Sequence, residues 1–288
     1  MKWRAARRSG NVEDRRGGRR PARTAGGLGL GGLAIVVVIG LFMGKSPTEI
    51  LGLLGEVQRS LPPPAQQPQS PSGNDEALQF ISAILGESED VWSAEFARRG
   101  AAYTPPRLVM FHGSVQSACG TASSAVGPFY CPADRQVYLD TEFFDAMQRR
   151  LGGGGDFAEA YVIAHEVGHH IQTLTGVSQR VHEARRRGEN VEGDAGLLVR
   201  QELQADCYAG VWAHSAQKRH AWMEPGDMEE ALDTASAIGD DRLQKQAGGA
   251  VVPDSFTHGT SAQRVRWFRR GFDSGQAEHC DTFAASAL

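Results

Sequence analysis

Cysteine is scarce in this sequence, four in 288 residues, and no two of the four form a C-x-x-C pair. Cysteine-based zinc modules rest on that spacing, so they are excluded. No stretch repeats at a fixed period, which excludes solenoid and propeller architectures. A di-iron helix bundle needs two E-x-x-H segments, and the chain has one, ending at His169. No A-x-A-like site follows the long apolar run near the N-terminus, which argues against a cleaved signal peptide. Charge of one sign does not dominate either, since the formal net charge is −4.

That average hides an asymmetry. Residues 1–24 hold nine Lys or Arg against Glu13 and Asp14. Residues 25–44 carry no charge at all, and twenty helical residues rise about 30 Å, the hydrocarbon thickness of a bilayer. The expectation is a cytoplasmic basic arm (1–24), a transmembrane anchor (25–44) in the lipid bilayer, and an extracytoplasmic remainder, following the positive-inside rule. The adjacent span accounts for the basic charges, so no nucleic-acid partner is expected. Residues 45–74 include PPPAQQPQSPSGN, a composition that buries little apolar area and reads as a linker. A globular domain is expected over 75–288.

An exported domain with an even cysteine count suggests two disulfides among Cys119, Cys131, Cys207 and Cys280. The favoured pairing is Cys119–Cys131, closing a short Gly/Ser/Pro-rich stretch, with Cys207–Cys280 tying the C-terminus to a helix. Residues 107–140 read as strands: Arg107–Phe111 is a β-type run, and Phe129–Cys131 and Gln136–Leu139 flank a turn. Helical spacing dominates the rest. One helix is expected from about Asp156, read as its N-cap, with Ile163, Val167, Ile171 and Leu174 on its buried stripe. Another is expected over 196–213. Strands followed by helices imply an α+β domain, mainly helical with a small sheet.

Within the first of these helices stands His165-Glu166-Val167-Gly168-His169. Residues four apart share one helix face, so both imidazoles can bind one zinc ion, the single Zn2+ expected per chain. Zinc lowers the pKa of a bound water to about 7, and a carboxylate beside it can take the proton. Glu166 is that candidate base. Gly168 is costly inside a helix, by about 1 kcal/mol, which suggests that another element approaches there. A third ligand is needed. Among His170, His182, Glu192, Asp194, Glu202, Asp206, His214 and His258, the best candidate is Glu202. Asp206 follows it by one turn and is placed to accept the free N–H of a liganding histidine, expected to be His165.

Four stretches, CGTASSAVGPFYCPADRQVYLDTEFF, AYVIAHEVGHHIQTLTGV, RQELQADCYAGVWAH and SFTHGTSAQRVRWFRRGF, resemble the bacterial neutral zinc metallopeptidase family. In layout this is similar to gluzincin proteases of the membrane CAAX-prenyl-protease type, with H-E-x-x-H, then E-x-x-x-D, then a His followed six residues on by an Arg. The resemblance implies a zincin-like fold, Glu202 as third ligand, Asp206 behind the metal, and His258 and Arg264 lining the site. There His258 is expected to donate to an oxyanion. The related pattern has Pro after that His, where this chain has Gly259. The resemblance also offers the Phe129–Leu139 hairpin as an edge for an extended peptide. The expected activity is a membrane-anchored zinc endopeptidase acting on extracytoplasmic protein or peptide substrates. The alternative is a catalytically silent zinc-binding envelope protein that recruits partners; it has no need of Glu166.

Overall fold

The computed structural model describes residues 1–16, 75–123, 127–144, 154–246 and 250–288. Its sheet runs in the order β1-β2-β6-β5. The strands are β1 (Val12–Asp14), β2 (Arg107–Phe111), β5 (Phe129–Cys131) and β6 (Gln136–Asp140), with a separate hairpin of β3 (Ser114–Ser117) and β4 (Gly120–Ser123). β1 and β6 flank β2 in parallel, and β5 closes the order antiparallel to β6. Strands β2 and β6 are buried on both faces, as apolar runs in parallel sheets are. Leu108, Met110, Val137 and Leu139 point into the main helical core, while Val109, Phe111 and Tyr138 join Val115 and Cys131 in a smaller cluster. Both disulfides, Cys119–Cys131 and Cys207–Cys280, are formed.

Among the described residues seven α-helices carry the other layer: α1 (Glu76–Arg98), α2 (Asp156–Leu174), α3 (Val177–Arg186), α4 (Leu197–His220), α5 (Asp227–Ala237), α6 (Asp240–Gln246) and α7 (Ser261–Ser274). Asp75 caps α1 by accepting from Leu78 N–H. Thr260 and Gln263 form a capping box at the start of α7. Asp156 does not cap α2: Gly155 holds that position, and the Asp156 carboxylate instead accepts from the Met1 amine at 2.8 Å. Helices α4 and α7 cross with their backbones nearly touching. A Cβ on Gly271 would lie 1.9 Å from the Cys207 carbonyl oxygen, and one on Gly210 2.1 Å from that of Phe268. This approach brings Arg264, on α7, to Asp206, on α4.

The expected membrane topology does not hold. No helix among the described residues is long and apolar enough to cross a bilayer. Residues 25–44, and the linker assigned to 45–74, lie outside the described residues. The described part of the arm read as cytoplasmic, residues 1–16, is part of the domain fold. Val12, Glu13 and Asp14 pair in register with Leu108, Val109 and Met110. Trp3 is buried against Phe80, and Arg7 pairs with Glu89 and Asp90 at 2.8 Å. A single crossing between residues 15 and 75 would separate two hydrogen-bonded strands by a bilayer. A cytoplasmic arm, a single-pass anchor and a domain on the far side are therefore incompatible with this sheet. The two disulfides by themselves fit an oxidising compartment.

Candidate metal centre

Helix α2 places His165 and His169 one turn apart, with ring centroids 4.8 Å from each other. Helix α4 packs across α2 where Gly168 faces Ala205; a Cβ on Gly168 would meet the Ala205 Cα at 3.0 Å. The close crossing brings Glu202 to the histidines. Its Oε2 is 3.2 Å from His165 Nε2 and its Oε1 is 3.5 Å from His169 Nε2. One ligand atom from each of the three lies within 4.8 Å of the others.

The partners of these side chains fix which atoms face inward. His165 Nδ1–H donates to Asp206 Oδ1 at 2.8 Å. His169 Nδ1–H donates to Gln172 Oε1 at 2.9 Å. The Gln172 amide is itself oriented, because its Nε2 donates to the Gln201 carbonyl and to Gln204 Oε1. Both imidazoles therefore present Nε2 toward Glu202. Two imidazoles and a carboxylate, each imidazole held through its other nitrogen, are a donor set that fits zinc.

The carboxylates of the cluster favour positive charge on the two imidazoles. Burial pulls His165 down, but the Asp206 charge and the hydrogen bonds that Asp206 and Glu202 accept outweigh it and lift it to about 10. His169 rises for the same reason, with Glu202 overcoming burial. Burial raises Glu202, yet His169 and His165 hold it well below the usual carboxylate range.

Behind the histidines is a closed network. Asp206 is fully buried. It accepts from Tyr161 Oη at 2.6 Å and from Arg264 Nε and Nη2 at 2.8 and 2.9 Å, besides His165. Burial pushes Asp206 up, but the Arg264 charge and then His165 bring it down to about 2. Arg264 spends four of its N–H donors on Asp206, Tyr161 and the Ile238 carbonyl.

Glu166 and His258 line the same cleft as the three donors. Glu166 is buried and makes no side-chain hydrogen bond among the described residues. His258 is half exposed and is held by Asp240. The Asp240 Oδ2 accepts from the backbone N–H groups of Thr257, His258 and Gly259, and Oδ1 lies 3.1 Å from His258 Nδ1. Gly259 has φ 88°, which proline's ring forbids, so this turn differs from one with Pro at that position. His170 is buried away from the cluster. Its Nε2–H donates to the Thr104 carbonyl, so Nδ1 is the acceptor for Tyr130 Oη at 3.1 Å. His214 bonds the Phe272 carbonyl, Glu192 and Asp194 are exposed, and none of these joins the site.

Sequence reasoning missed Tyr161, Gln172 and Asp240. Tyr161 stands one turn before His165 and Gln172 three residues after His169, so helix spacing alone marked them as neighbours. Asp240 carried no such signal.

The His258–Asp240 pair has a pH signature. His258 is raised, chiefly by the Asp240 hydrogen bond, against burial. Burial raises Asp240, but the hydrogen bonds and charge of His258 lower it further. The pair's stabilisation is complete between the ordinary values, 3.8 and 6.5. It fades as pH rises through the raised His258 value or falls through the lowered Asp240 value. In Asp240→Asn, NMR titration of the His258 ring is expected to give a pKa below that of the wild type. An unchanged value would mean that Asp240 does not hold the ring.

Comparison with known proteins places the chain in a family. The family described as "Putative neutral zinc metallopeptidase" matches residues 1–283, and the chain belongs to it. Its relatives include a protein of Escherichia coli K12, "Uncharacterized protein YpfJ", 48% identical over 99% of this chain and 100% of that one. "Uncharacterized protein Rv2575" of Mycobacterium tuberculosis H37Rv is 47% identical over 65% of each chain. No solved structure matches.

Proposed function

We propose that the cleft is the active site of a zinc-dependent endopeptidase acting on protein or peptide substrates. The observation that carries this reading is the convergence of His165, His169 and Glu202 within 4.8 Å, with Glu166 lining the same cleft. His165, His169 and Glu202 would hold the metal, which supplies Lewis-acid polarisation and a lowered water pKa when bound. Glu166 takes the proton of the attacking water and returns it to the departing amine. Asp206 and Gln172 hold the two imidazoles in the tautomer that leaves Nε2 for the metal. His258, with Nδ1 engaged by Asp240, offers Nε2–H to the carbonyl oxygen as negative charge develops there. Strand β5 pairs only with β6 among the described strands, and Phe129 and Tyr130 line the cleft. An extended peptide can add to that edge, and the Cys119–Cys131 disulfide and the Tyr130–His170 bond keep the strand in place.

The test is metal removal. The purified full chain is expected to contain about one zinc per chain and to cleave an unfolded protein substrate. A chelator should abolish cleavage and added zinc should restore it. Cleavage that survives complete loss of metal would refute the reading.

A further inference from the structure

Helix α3 forms one wall of the cleft through Ser178, Val181, His182 and Arg185. These positions, i, i+3, i+4 and i+7, are a single helix face. Val181 is its buried anchor. The helix is basic, with Arg180, Arg185 and Arg186 against Glu183 alone, in a chain of net charge −4. Two of its four charged side chains are engaged elsewhere. Arg180 lies over the Phe283 ring, Glu183 accepts from Gln179, and the following Arg187 pairs with Glu189 at 2.7 Å. Arg185 has no carboxylate partner among the described residues, although it lines the cleft. The acidic residues lining that cleft are Glu166 and Glu202, both committed to the metal chemistry. The β5 side contributes Phe129, Tyr130 and Pro132, which bring no charge.

We propose that Arg185, with the His182 N–H one turn before it, forms a subsite for a carboxylate of the substrate, so that the cleft selects acidic segments. The proposal rests on the peptidase reading for the ligand being an extended peptide. Ser178 fixes one end of the wall, since Gln201 and Thr173 both bond its hydroxyl. Arg185 is two turns further on, about 10 Å along the helix. An extended peptide covers that distance in about three residues. The selected carboxylate therefore sits about three residues from the Ser178 end, as a Glu or Asp side chain or as the chain's own C-terminus. A guanidinium matches a carboxylate with two parallel hydrogen bonds, and a negative protein with a positive cleft wall steers anionic segments there.

The experiment measures peptide binding to the full-length, zinc-loaded Glu166→Gln chain by calorimetry, so that no turnover is needed. Three peptides are compared: one with a Glu and a capped C-terminus, its Lys counterpart, and a neutral peptide with a free C-terminus. The Glu peptide, or the free-terminus peptide if the chain end is the ligand, is expected to bind about tenfold tighter than the Lys peptide, and less so as salt rises. Arg185→Glu should erase or invert the preference. Arg186→Glu, the same charge change off the cleft wall, should leave it. Equal binding of all three peptides, or equal effects of the two variants, would overturn the subsite. Wild-type cleavage of the same peptides is scored separately. Selective binding without cleavage would sink the peptidase reading and keep the subsite, and cleavage without selectivity would do the reverse.

Discussion

Glu166→Gln is expected to lower kcat/KM on an unfolded-protein substrate by about 10²- to 10⁴-fold, the usual contribution of a general base, while zinc content stays at the wild-type level. The substitution preserves shape, removes the ability to accept a proton at neutral pH, and takes away one negative charge near His169. Glu166 is not among the three converging donors, so the metal keeps all three of them in the variant. It makes no side-chain hydrogen bond among the described residues, so the fold has no such bond to lose. Metal analysis and steady-state kinetics on the same preparation decide the matter. Equal cleavage by the variant would remove Glu166 from the mechanism. Loss of zinc together with activity would make it a ligand.

The parts of the site that follow from one helix were legible in the sequence. His165 and His169 are four apart, as are Glu202 and Asp206, and helix geometry alone puts each pair on one face. Gly168 marked the crossing, and Ala205 is what crosses there. The partners that arise only when helices pack were not legible. Tyr161 and Asp206 are 45 residues apart and Asp240 and His258 are 18 apart; no local period connects them. The N-terminal segment misled for a physical reason. Its arginines beside an uncharged run match a membrane flank, while Val12–Asp14 is too short to show alternation and becomes a strand only through β2. The acidic residues that pair with its Arg7, Glu89 and Asp90, lie on a helix some eighty positions away.

Asp206→Ala carries the largest stability effect. It removes four hydrogen bonds at once, from Tyr161, His165 and both ends of Arg264. Arg264 is itself 2% exposed, so its charge is left buried without a counter-ion. Breaking a buried pair from one side costs about 3–5 kcal/mol, a large share of the 5–15 kcal/mol that holds a typical domain together. At about 2–4 °C per kcal/mol for a domain of this size, Tm should fall by roughly 10 °C. The same change frees His165 Nδ1, and losing such an orienting partner weakens metal binding by about 10- to 100-fold, measurable by competition with a chelator. The double variant Asp206→Ala/Arg264→Met separates the two roles. With both buried charges gone, most of the lost Tm should return, because the penalty lies in the orphaned cation and not in the absent pair. Zinc affinity should stay low, because His165 still lacks its partner. Recovery of both properties would mean that Asp206 serves only to neutralise Arg264, and recovery of neither would mean that the Arg264 charge is not what the single variant exposes.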